Sequence, residues 1–336
     1  MNPNPPAVMR AQVLVTAGEP LRLSDLPVPT PGPGEVLVRI AAAGLNPLDT
    51  KIAAGEAAHA QVTTPAVLGL DAAGWVAATG PAVAGFTVGD EVYGMIGGVG
   101  GVQGSLAEYA TVDTTLLAHK PPQWSMRQAA ALPLSLITAW EGLVDRAHLR
   151  AGHDVLVHGG AGGVGHVAVQ LANAHGARVW ATGSRAQTDI LHQLGAVPID
   201  YQAQSVESYV QEHTDGEGFD IVYDTVGGTN LDRSFLAVKR YTGHVVSSLG
   251  WGTHSLAPLS FRGATYSGVF TLLPLLTGRG RAAHGRILGS AAALGGQGRL
   301  QPILHPQLYS LADADLALKQ VATGIPAGKI VIDVAP

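Results

Sequence analysis

The chain has 336 residues, enough for two domains that each bury a hydrophobic core. Its formal net charge of -5 gives no general attraction to nucleic acid or to an anionic membrane surface. It contains no cysteine, which excludes disulfides, iron–sulfur clusters, thiolate zinc sites and a thiol nucleophile.

Residues 1–12 have no apolar core of signal-peptide length. The most apolar stretch, 269–278, is too short to span a bilayer and is interrupted by Pro274. We therefore expect a cytoplasmic protein without a membrane anchor.

The first third of the chain predicts a compact β-rich unit, such as a small barrel. Short apolar strands are separated there by Gly and Pro, and they cover residues 11–17, 35–44, 72–80, 90–96 and 106–113. The glycine-rich segment Met95–Ser105 is open to two interpretations, a mobile lid or a disordered surface loop.

Residues 126–270 alternate between apolar strands and helical stretches. The predicted strands cover 154–159, 177–183, 197–201, 219–226, 244–250 and 264–270. Between the first two strands, the apolar residues of 165–176 recur at helical spacing. Strand–helix–strand repetition indicates parallel strands with right-handed crossovers, so we expect an α/β domain with a doubly wound parallel sheet.

The last part of the chain carries two helix-like stretches, 286–296 and 312–324, and a final strand at 329–334. Periodicity alone does not show which domain this tail joins.

A glycine-rich loop follows the first strand of the α/β domain. It fits the pattern G-x-G-x-x-G and consists of Gly160, Ala161, Gly162, Gly163, Val164 and Gly165. The strand before it and the helix after it are the context of a dinucleotide-binding loop, with Gly160 for the turn, Gly162 for close approach of a pyrophosphate and Gly165 for helix packing. The alternative is a purely structural strand–helix turn.

The second strand of this domain ends in Gly183, Ser184 and Arg185. An enzyme that uses NAD usually has an acidic residue there to bind the ribose 2′-hydroxyl. A hydroxyl and a guanidinium instead suit a 2′-phosphate, which predicts NADPH. Arg185 as an ordinary surface charge is the alternative.

Eight stretches together resemble the medium-chain dehydrogenase/reductase superfamily, specifically its zinc-independent quinone oxidoreductase branch, which includes zeta-crystallin-like proteins. They are GLNPLDTKIAAG, VLGLDAAGWV, VGDEVYG, GSLAEYATV, AAALPLSLITAWEGL, VLVHGGAGGVGHVAVQLA, YDTVGG and GKIVIDV. The resemblance implies a GroES-like β-barrel catalytic domain from residues 1–125 and 271–336, and a Rossmann NADP-binding domain from residues 126–270.

The zinc ligands of the metal-bearing relatives are missing. Where those relatives have Gly-His-Glu, this chain has Gly69, Leu70 and Asp71, and Asn46 stands in the region of their cysteine ligand. Leucine cannot ligate zinc, so we expect no metal site.

Without a metal, hydride addition suits a conjugated acceptor, whose developing negative charge hydrogen-bond donors can stabilise. Asn46 is the candidate donor, with a role in an Asn-Pro turn as the alternative. Asp49 is a candidate catalytic residue that can instead orient its neighbours, and Tyr93 is a candidate proton donor that can instead belong to the barrel core.

The resemblance also implies cofactor contacts. It places Thr138 near the nicotinamide and Tyr201 near the adenosine phosphate. The nicotinamide pocket is expected to be lined by Leu249, Gly250, Phe270, Thr271 and Leu272. Alternatively, Thr138 is a plain helix residue and Tyr201 is a core residue at a strand end.

The leading hypothesis is an NADPH-dependent reductase of a quinone or an α,β-unsaturated carbonyl. Residues 53–69 contain no aromatic side chain, which favours an acceptor pocket that is roomier or differently lined. The alternatives are a 2-enoyl thioester reductase and a non-catalytic NADPH-binding protein. The apolar strand 264–270 is expected at a sheet edge, which together with the resemblance predicts a homodimer.

Overall fold

A computed structural model describes residues 5–324 and 328–334. The chain divides into two compact units, one within residues 1–134 and 272–336 and the other spanning residues 135–271. The boundaries thus fall after Leu134 and Thr271, whereas the sequence analysis placed them after residues 125 and 270. The first four residues of the N-terminal segment used for the targeting prediction lie outside the described part.

The strands share short lengths and, in most cases, a buried face. In chain order they are β1 (Val8–Leu14), β2 (Arg22–Pro27), β3 (Glu35–Gly44), β4 (Ala66–Val67), β5 (Asp71–Thr79), β6 (Glu91–Met95), β7 (Tyr109–Asp113), β8 (Leu117–His119), β9 (Asp154–His158), β10 (Arg178–Gly183), β11 (Val197–Asp200), β12 (Ile221–Asp224), β13 (His244–Ser247), β14 (Thr265–Gly268), β15 (Tyr309–Ser310) and β16 (Val331–Asp333).

The α-helices are mostly short. In chain order they are α1 (Pro47–Ala53), α2 (Met126–Ala130), α3 (Pro133–Trp140), α4 (Gly165–Ala174), α5 (Thr188–Gln193), α6 (Val206–Thr214), α7 (Thr229–Ala237), α8 (Ala257–Arg262), α9 (Leu273–Thr277), α10 (Arg281–Gly296) and α11 (Ala314–Ala322). A π-helical segment, Glu141–Arg146, continues α3. Short 3-10 turns cover Ala58–Ala60, Thr114–Leu116, Arg185–Gln187 and Leu311–Asp313.

The first unit is built on two sheets, one with the order β2-β1-β4 and one with the order β15-β16-β3-β5-β6-β8, where β7 also pairs with β3. The tail of the chain joins this unit, because β16 pairs antiparallel with β3 and places Ile332 opposite Ala43. The backbone of Leu45 then donates to the carbonyl of Ile330 at 3.0 Å. Residues near both ends of the chain therefore share one sheet.

The glycine-rich segment Met95–Ser105 packs closely against neighbouring backbone and is not a disordered surface loop. Residues 95–99 are buried, and the backbone of Ser105 donates to the carbonyl of Gly69 at 2.9 Å. A Cβ atom on Gly97 would lie 2.0 Å from the carbonyl oxygen of Gln103. Glycine is present here because the backbone packs too closely for side chains.

The second unit is a single parallel sheet with the order β11-β10-β9-β12-β13-β14. Its strands are short apolar runs because both faces of a parallel sheet are covered. One core cluster includes Leu156, Phe219, Val222, Phe235 and Val245, all at most 1% exposed. The α/β fold class and the doubly wound sheet are confirmed, and β14 lies at the sheet edge as expected.

Within the part of the chain that the structure describes, every helix is too short or too polar to cross a lipid bilayer.

Candidate functional site

The order of the second unit's strands reverses at β9. This strand has β10 on one side and β12 on the other, and both pairings are parallel. The chain connections leave β9 in opposite directions on the two sides, which opens a crevice outside the carboxyl ends of the strands. Ligands of doubly wound sheets bind in this crevice.

The predicted glycine loop lies at that point, between β9 and α4. Its sharp turn is made by Gly159, whose φ is 69°, and not by Gly160 as the sequence analysis expected. A Cβ atom on Gly160 would lie 2.5 Å from the Cβ of Ala181, and one on Gly165 would lie 2.1 Å from the carbonyl oxygen of Gly159. Both glycines are therefore required by the packing of the loop against the sheet.

Gly162 has a different environment. It is exposed, and a Cβ atom there would meet only the carbonyl oxygen of Gly159, at 3.1 Å. Packing within the protein thus explains why positions 160 and 165 require glycine, but it does not explain Gly162. The absence of a side chain at Gly162 leaves room for a ligand on the outer side of the loop. Together with α4, which begins at Gly165, this loop fits the diphosphate of a dinucleotide.

The carboxyl ends of β10 and β11 bring together the residues predicted to bind a 2′-phosphate. Gly183 pairs with Asp200 in the parallel ladder, and its carbonyl accepts from the backbone of Tyr201 at 3.3 Å. Ser184 donates its backbone N–H to the side chain of Gln187 at 2.9 Å, which fixes the turn. Arg185 is exposed, and Tyr201 is 50% exposed rather than part of the core.

A buried carboxylate, missed in the sequence, joins the ends of β12 and β13. Asp224 accepts from the hydroxyl of Ser247 at 2.9 Å, from the amide of Asn230 at 2.8 Å and from the backbone of Gly227 at 3.1 Å. Asp224 is 0% exposed to solvent. The aspartate in the stretch YDTVGG was the available signal, since an acid that ends a parallel strand must be satisfied locally.

A second missed residue, His158, ends β9 directly before the glycine loop. Its Nδ1 lies 3.2 Å from the hydroxyl of Thr182, and its buried Nε2 has no hydrogen-bond partner in residues 5–324 and 328–334. Burial lowers the pKa of His158 to about 4, against the opposing effect of Asp224. The imidazole is therefore neutral at pH 7.

The residues predicted near the nicotinamide contact β12 or follow β13 and β14 in sequence. The hydroxyls of Thr138 and Thr271 lie 3.0 Å apart, and Tyr223 donates its hydroxyl to the carbonyl of Thr138 at 2.7 Å. The hydroxyl of Thr271 also donates to Glu141 at 3.2 Å. Thr138 is thus fixed by both its side chain and its backbone.

Apolar side chains are exposed after β13 and β14. Leu249 is 39% exposed and Phe270 is 37% exposed, and Gly250 is exposed as well. The ring of Trp251 lies edge-on to that of Phe270, with centroids 5.9 Å apart. Leu272, by contrast, is buried.

In the first unit, Asn46 belongs to a buried polar cluster. Its amide nitrogen donates to Asp71 at 2.9 Å, and its amide oxygen accepts from the ammonium of Lys329. Asp49 accepts from the backbone N–H of Asn46 at 2.8 Å, and Asp71 also accepts from the backbone of Leu134 at 2.9 Å. We call these four side chains, Asn46, Asp49, Asp71 and Lys329, the buried ionic cluster.

Burial dominates the ionisation of this cluster. It raises the pKa of Asp49 to about 7 and that of Asp71 to about 6, while the Lys329 ammonium and the hydrogen bonds oppose both shifts. Burial also lowers the pKa of Lys329, and the two carboxylates oppose that shift.

Tyr93 lies in the core of the first unit. Its hydroxyl donates to the carbonyl of Leu288 at 2.7 Å, and its ring packs edge-on against Trp124. Burial raises the pKa of Tyr93 well above its usual value. This environment matches the core alternative given for Tyr93.

The residues at the zinc-ligand positions do not fit zinc. Leu70 has no donor atom, and the amide of Asn46 is engaged with Asp71 and Lys329. In the described part of the chain, no three His, Cys, Asp or Glu side chains are grouped to hold a metal ion.

Two protein-family models match the chain. The alcohol dehydrogenase GroES-like domain matches residues 32–122, and the zinc-binding dehydrogenase domain matches residues 163–277.

Three curated proteins illustrate the sequence similarity. The chain is 35% identical to 2-methylene-furan-3-one reductase of Solanum lycopersicum, over 93% of this chain and 75% of that protein. It is 38% identical to the chloroplastic NADPH-dependent alkenal/one oxidoreductase of Arabidopsis thaliana, over 71% of this chain and 60% of that protein. It is also 36% identical to the spectinabilin polyketide synthase system protein NorB of Streptomyces orinoci, where it covers 90% of this chain but only 13% of that much longer protein.

Two solved structures illustrate the similarity in fold. An alcohol dehydrogenase superfamily protein from Novosphingobium aromaticivorans is 55% identical with a TM-score of 0.95, over 97% of this chain and 100% of that one. The quinone oxidoreductase from Coxiella burnetii is 28% identical with a TM-score of 0.81, over 98% of this chain and 100% of that one.

Proposed function

The chain belongs to the medium-chain dehydrogenase/reductase superfamily, in its zinc-independent quinone oxidoreductase branch, and from this we infer that it is an NADPH-dependent reductase of quinones or α,β-unsaturated carbonyls. It is an oxidoreductase that uses a nicotinamide dinucleotide. We propose two further properties, namely the preference for NADPH over NADH and the class of acceptor.

The observation that carries the proposal is the arrangement of the glycine loop and the ends of β10 and β11. Gly162 leaves the backbone bare where a diphosphate approaches, and Ser184 and Arg185 stand on the neighbouring strand end. A serine hydroxyl and a guanidinium bind a 2′-phosphate by charge-assisted hydrogen bonds. The NADPH dependence printed for the Arabidopsis thaliana relative supports the same choice.

When bound, the dinucleotide supplies a hydride to the acceptor. The chain's own residues would fix the part of the sheet that we propose for the nicotinamide half. Thr138 is held by Thr271 and Tyr223, and Asp224 fixes the backbone after β12 and β13. Such preorganised groups need not rearrange during the reaction.

Exposed aromatic and apolar surface supports a flat, conjugated acceptor. Trp251 and Phe270 present ring surface at the ends of β13 and β14, beside the exposed Leu249. Planar apolar acceptors gain from contact with aromatic rings. Residues 53–69 have no aromatic side chain, so we propose that these two rings supply the aromatic contact to the acceptor.

Among the three predicted catalytic residues, Asn46 is the proposed hydrogen-bond donor. Its amide nitrogen has two hydrogens, and one is directed at Asp71. Asp49 acts by holding the backbone of Asn46, and Tyr93 by supporting the core. If Asn46 is the donor, Asn46→Ala lowers turnover more than cofactor affinity, whereas unchanged turnover removes it from the reaction.

The decisive experiment measures cofactor oxidation at the nicotinamide absorbance, with NADPH and NADH in parallel against panels of quinones and enones. Oxidation of NADPH by either panel, well above that of NADH, is the expected result. Equal use of both cofactors contradicts the cofactor proposal. Tight NADPH binding without oxidation by any acceptor supports a non-catalytic binding protein.

A 2-enoyl thioester reductase is a second candidate function. It is favoured by the 36% identity to the polyketide synthase protein NorB over 306 residues. An acyl thioester of a conjugated acid belongs in the acceptor panel for this reason, and its preferential reduction would replace the quinone assignment.

We further propose that the protein is a cytoplasmic homodimer joined through β14. This strand is the edge of the parallel sheet, and Tyr241 before β13 and Phe261 in α8 are each 85% exposed. An exposed sheet edge is suited to pairing with a second copy. Sedimentation equilibrium of the purified protein tests this, and a monomer at micromolar concentration contradicts it.

A further inference from the structure

One residue of β10, Thr182, binds the start of the glycine loop at two points. Its hydroxyl accepts from the backbone N–H of Gly159 at 3.1 Å, and its backbone carbonyl accepts from that of Gly160 at 3.0 Å. Thr182 is 4% exposed, so both bonds are made in a buried environment, where an amide that loses its partner is costly. The position of the sharp turn at Gly159 therefore depends on a side chain of the neighbouring strand.

His158 orients that hydroxyl. Its Nδ1 lies 3.2 Å from the oxygen of Thr182. A threonine hydroxyl has one hydrogen and two lone pairs, so it can contact the imidazole and the N–H of Gly159 at the same time. His158 is itself 2% exposed, and its backbone carbonyl accepts from the hydroxyl of Thr225 at 2.6 Å. The imidazole is thus fixed, and it restrains the threonine side chain in turn.

Thr182 also directly precedes the residues proposed for the 2′-phosphate, which are Gly183, Ser184 and Arg185. The backbone of Thr182 is paired with Ile199 in the parallel ladder between β10 and β11. The ladder therefore holds this strand end without help from the hydroxyl. The side chain of Thr182 reaches the loop proposed for the diphosphate, whereas its backbone belongs to the strand that ends beside Arg185.

We propose that Thr182 is a positioning residue for the dinucleotide. Its hydroxyl, oriented by His158, fixes the glycine loop relative to the end of β10, so that the diphosphate and the 2′-phosphate of one NADPH molecule meet their binding groups together. Such preorganisation raises affinity by removing the cost of ordering the loop on binding. The inference rests on the proposed function for the place of the 2′-phosphate, and it adds two residues that act through the loop.

The test uses three ligands that separate the two binding groups. NADPH and NADH share the diphosphate, whereas 2′-AMP carries the 2′-phosphate without a diphosphate. Thr182→Val removes the hydroxyl and keeps the shape of the side chain, and Thr182→Ser is the conservative variant that keeps the hydroxyl. Calorimetric titration gives the dissociation constant of each ligand, and thermal unfolding reports the stability of each variant.

Thr214→Val is the matched control. The hydroxyl of Thr214 also accepts from a glycine backbone, that of Gly218 at 2.9 Å, and it lies in the same unit. It stands at the end of α6, which leads to the amino end of β12, whereas the glycine loop follows the carboxyl end of the parallel strand β9. This variant removes the same kind of hydrogen bond at the other end of the sheet.

Thr182→Val should raise the dissociation constants of NADPH and NADH about five- to tenfold, because the N–H of Gly159 loses its partner and the start of the loop is no longer fixed. The constant for 2′-AMP should change by less than about twofold, since the ladder still holds the strand end. Thr182→Ser and Thr214→Val should bind all three ligands as wild type does, even if Thr214→Val unfolds at a lower temperature.

Unchanged dinucleotide affinity in Thr182→Val overturns the proposal. An equal loss for all three ligands also overturns it, because that result shows a general disturbance of β10. A wild-type protein that does not prefer NADPH, or that does not bind 2′-AMP, contradicts the cofactor proposal instead. The comparison of Thr182→Val with Thr182→Ser on NADH then still decides the role of the hydroxyl.

Variants of His158 decide the matter if Thr182→Val does not fold. His158→Leu removes the ring nitrogens, whereas His158→Asn keeps a polar atom close to the position of Nδ1. We expect His158→Leu to weaken both dinucleotides about threefold, because the hydroxyl of Thr182 loses its orienting partner, and His158→Asn to retain most of the wild-type affinity. Equal dinucleotide affinities of the two His158 variants overturn the proposal.

Discussion

The hydroxyl of Ser247 donates to the buried carboxylate of Asp224 at 2.9 Å, so that β12 and β13 are joined at their carboxyl ends by side chains as well as by the ladder. The same hydroxyl accepts from the backbone of Leu249 at 3.1 Å. One serine thus connects the buried acid to the loop that carries the exposed Leu249 and Trp251.

Ser247→Ala should destabilise the protein by about 1–3 kcal/mol, because it removes a partner from a buried carboxylate and from a backbone N–H. Loosening of the loop after β13 should also weaken cofactor binding. Urea unfolding and cofactor titration measure the two effects. Ser208→Ala, on the exposed face of α6, is the control, and equal effects of the two variants would contradict the role of Ser247.

Gly162→Ala separates cofactor binding from folding. The added methyl group meets only one protein atom at 3.1 Å, so the melting temperature should stay close to that of wild type. Cofactor affinity should fall at least about tenfold, since the methyl group occupies the approach of the diphosphate. Calorimetric titration with NADPH tests this, and wild-type affinity would remove Gly162 from the site.

Gly289→Ala is the matched control for that variant. Gly289 lies in α10 with open space around its Cβ position, so alanine should stabilise the helix by roughly 0.5–1 kcal/mol. Its cofactor affinity should equal that of wild type.

Arg185→Ala tests the preference for NADPH. Loss of a charge-assisted contact should weaken NADPH binding by about 1–3 kcal/mol and leave NADH binding nearly unchanged. Dissociation constants for both cofactors are needed, with Arg150→Ala as a control at another exposed arginine of the same unit. Equal weakening of the two cofactors by Arg185→Ala would exclude contact with the 2′-phosphate.

The stability of the protein should depend on the ionisation of Asp49. Its pKa is about 7 in the folded protein and near 3.8 when unfolded, so its favourable contribution is complete below pH 3.8 and is lost as the pH rises through 7. Asp49→Asn removes this loss and keeps an oxygen for the backbone N–H of Asn46. The free energy of unfolding of the variant should therefore rise relative to wild type between pH 5 and pH 8, by roughly 3 kcal/mol at most.

Urea unfolding of both proteins at several pH values measures this difference. Asp315→Asn, at a half-buried position of α11 where the carboxylate pairs with Lys319, should show no comparable trend. A constant difference between Asp49→Asn and wild type across this range would show that Asp49 does not titrate near neutrality.

Tyr93→Phe should lower stability without lowering turnover. The variant leaves the carbonyl of Leu288 without its hydroxyl partner in the core, at a cost of about 1–2 kcal/mol. Tyr241→Phe, at an 85% exposed position, is expected to change neither property. A large loss of turnover at unchanged stability would restore Tyr93 as a candidate proton donor.

Local patterns predicted the elements of the second unit well. The apolar run predicted at 177–183 became β10 at Arg178–Gly183, because a buried parallel strand is read from a short continuous apolar segment. The glycine loop was recognisable from its strand and helix, although the turn itself uses Gly159. That shift depends on which glycine contacts the sheet, which a spacing pattern does not contain.

Contacts between distant residues were not predictable in the same way. Lys329 and Asn46 are 283 residues apart, and Tyr93 and Leu288 are 195 apart. No local propensity reports such a pair. The interpretation of Met95–Ser105 as a disordered loop was wrong for a related reason. The composition of this segment indicates mobility, whereas its tight backbone contacts with Gly69 are set by the tertiary fold.

The pairing of β16 with β3 determines which unit can fold first while the chain is being synthesised. Residues 135–271 have all their sheet partners once they leave the ribosome, so the parallel sheet can fold while later residues are still being added. The first unit must wait, because Leu45 and Asn46 find their backbone and ammonium partners only when residues 328–334 emerge. Until then Asp49 and Asp71 remain without their lysine, and the unfinished sheet edge of β3 is the segment that a chaperone would have to shield.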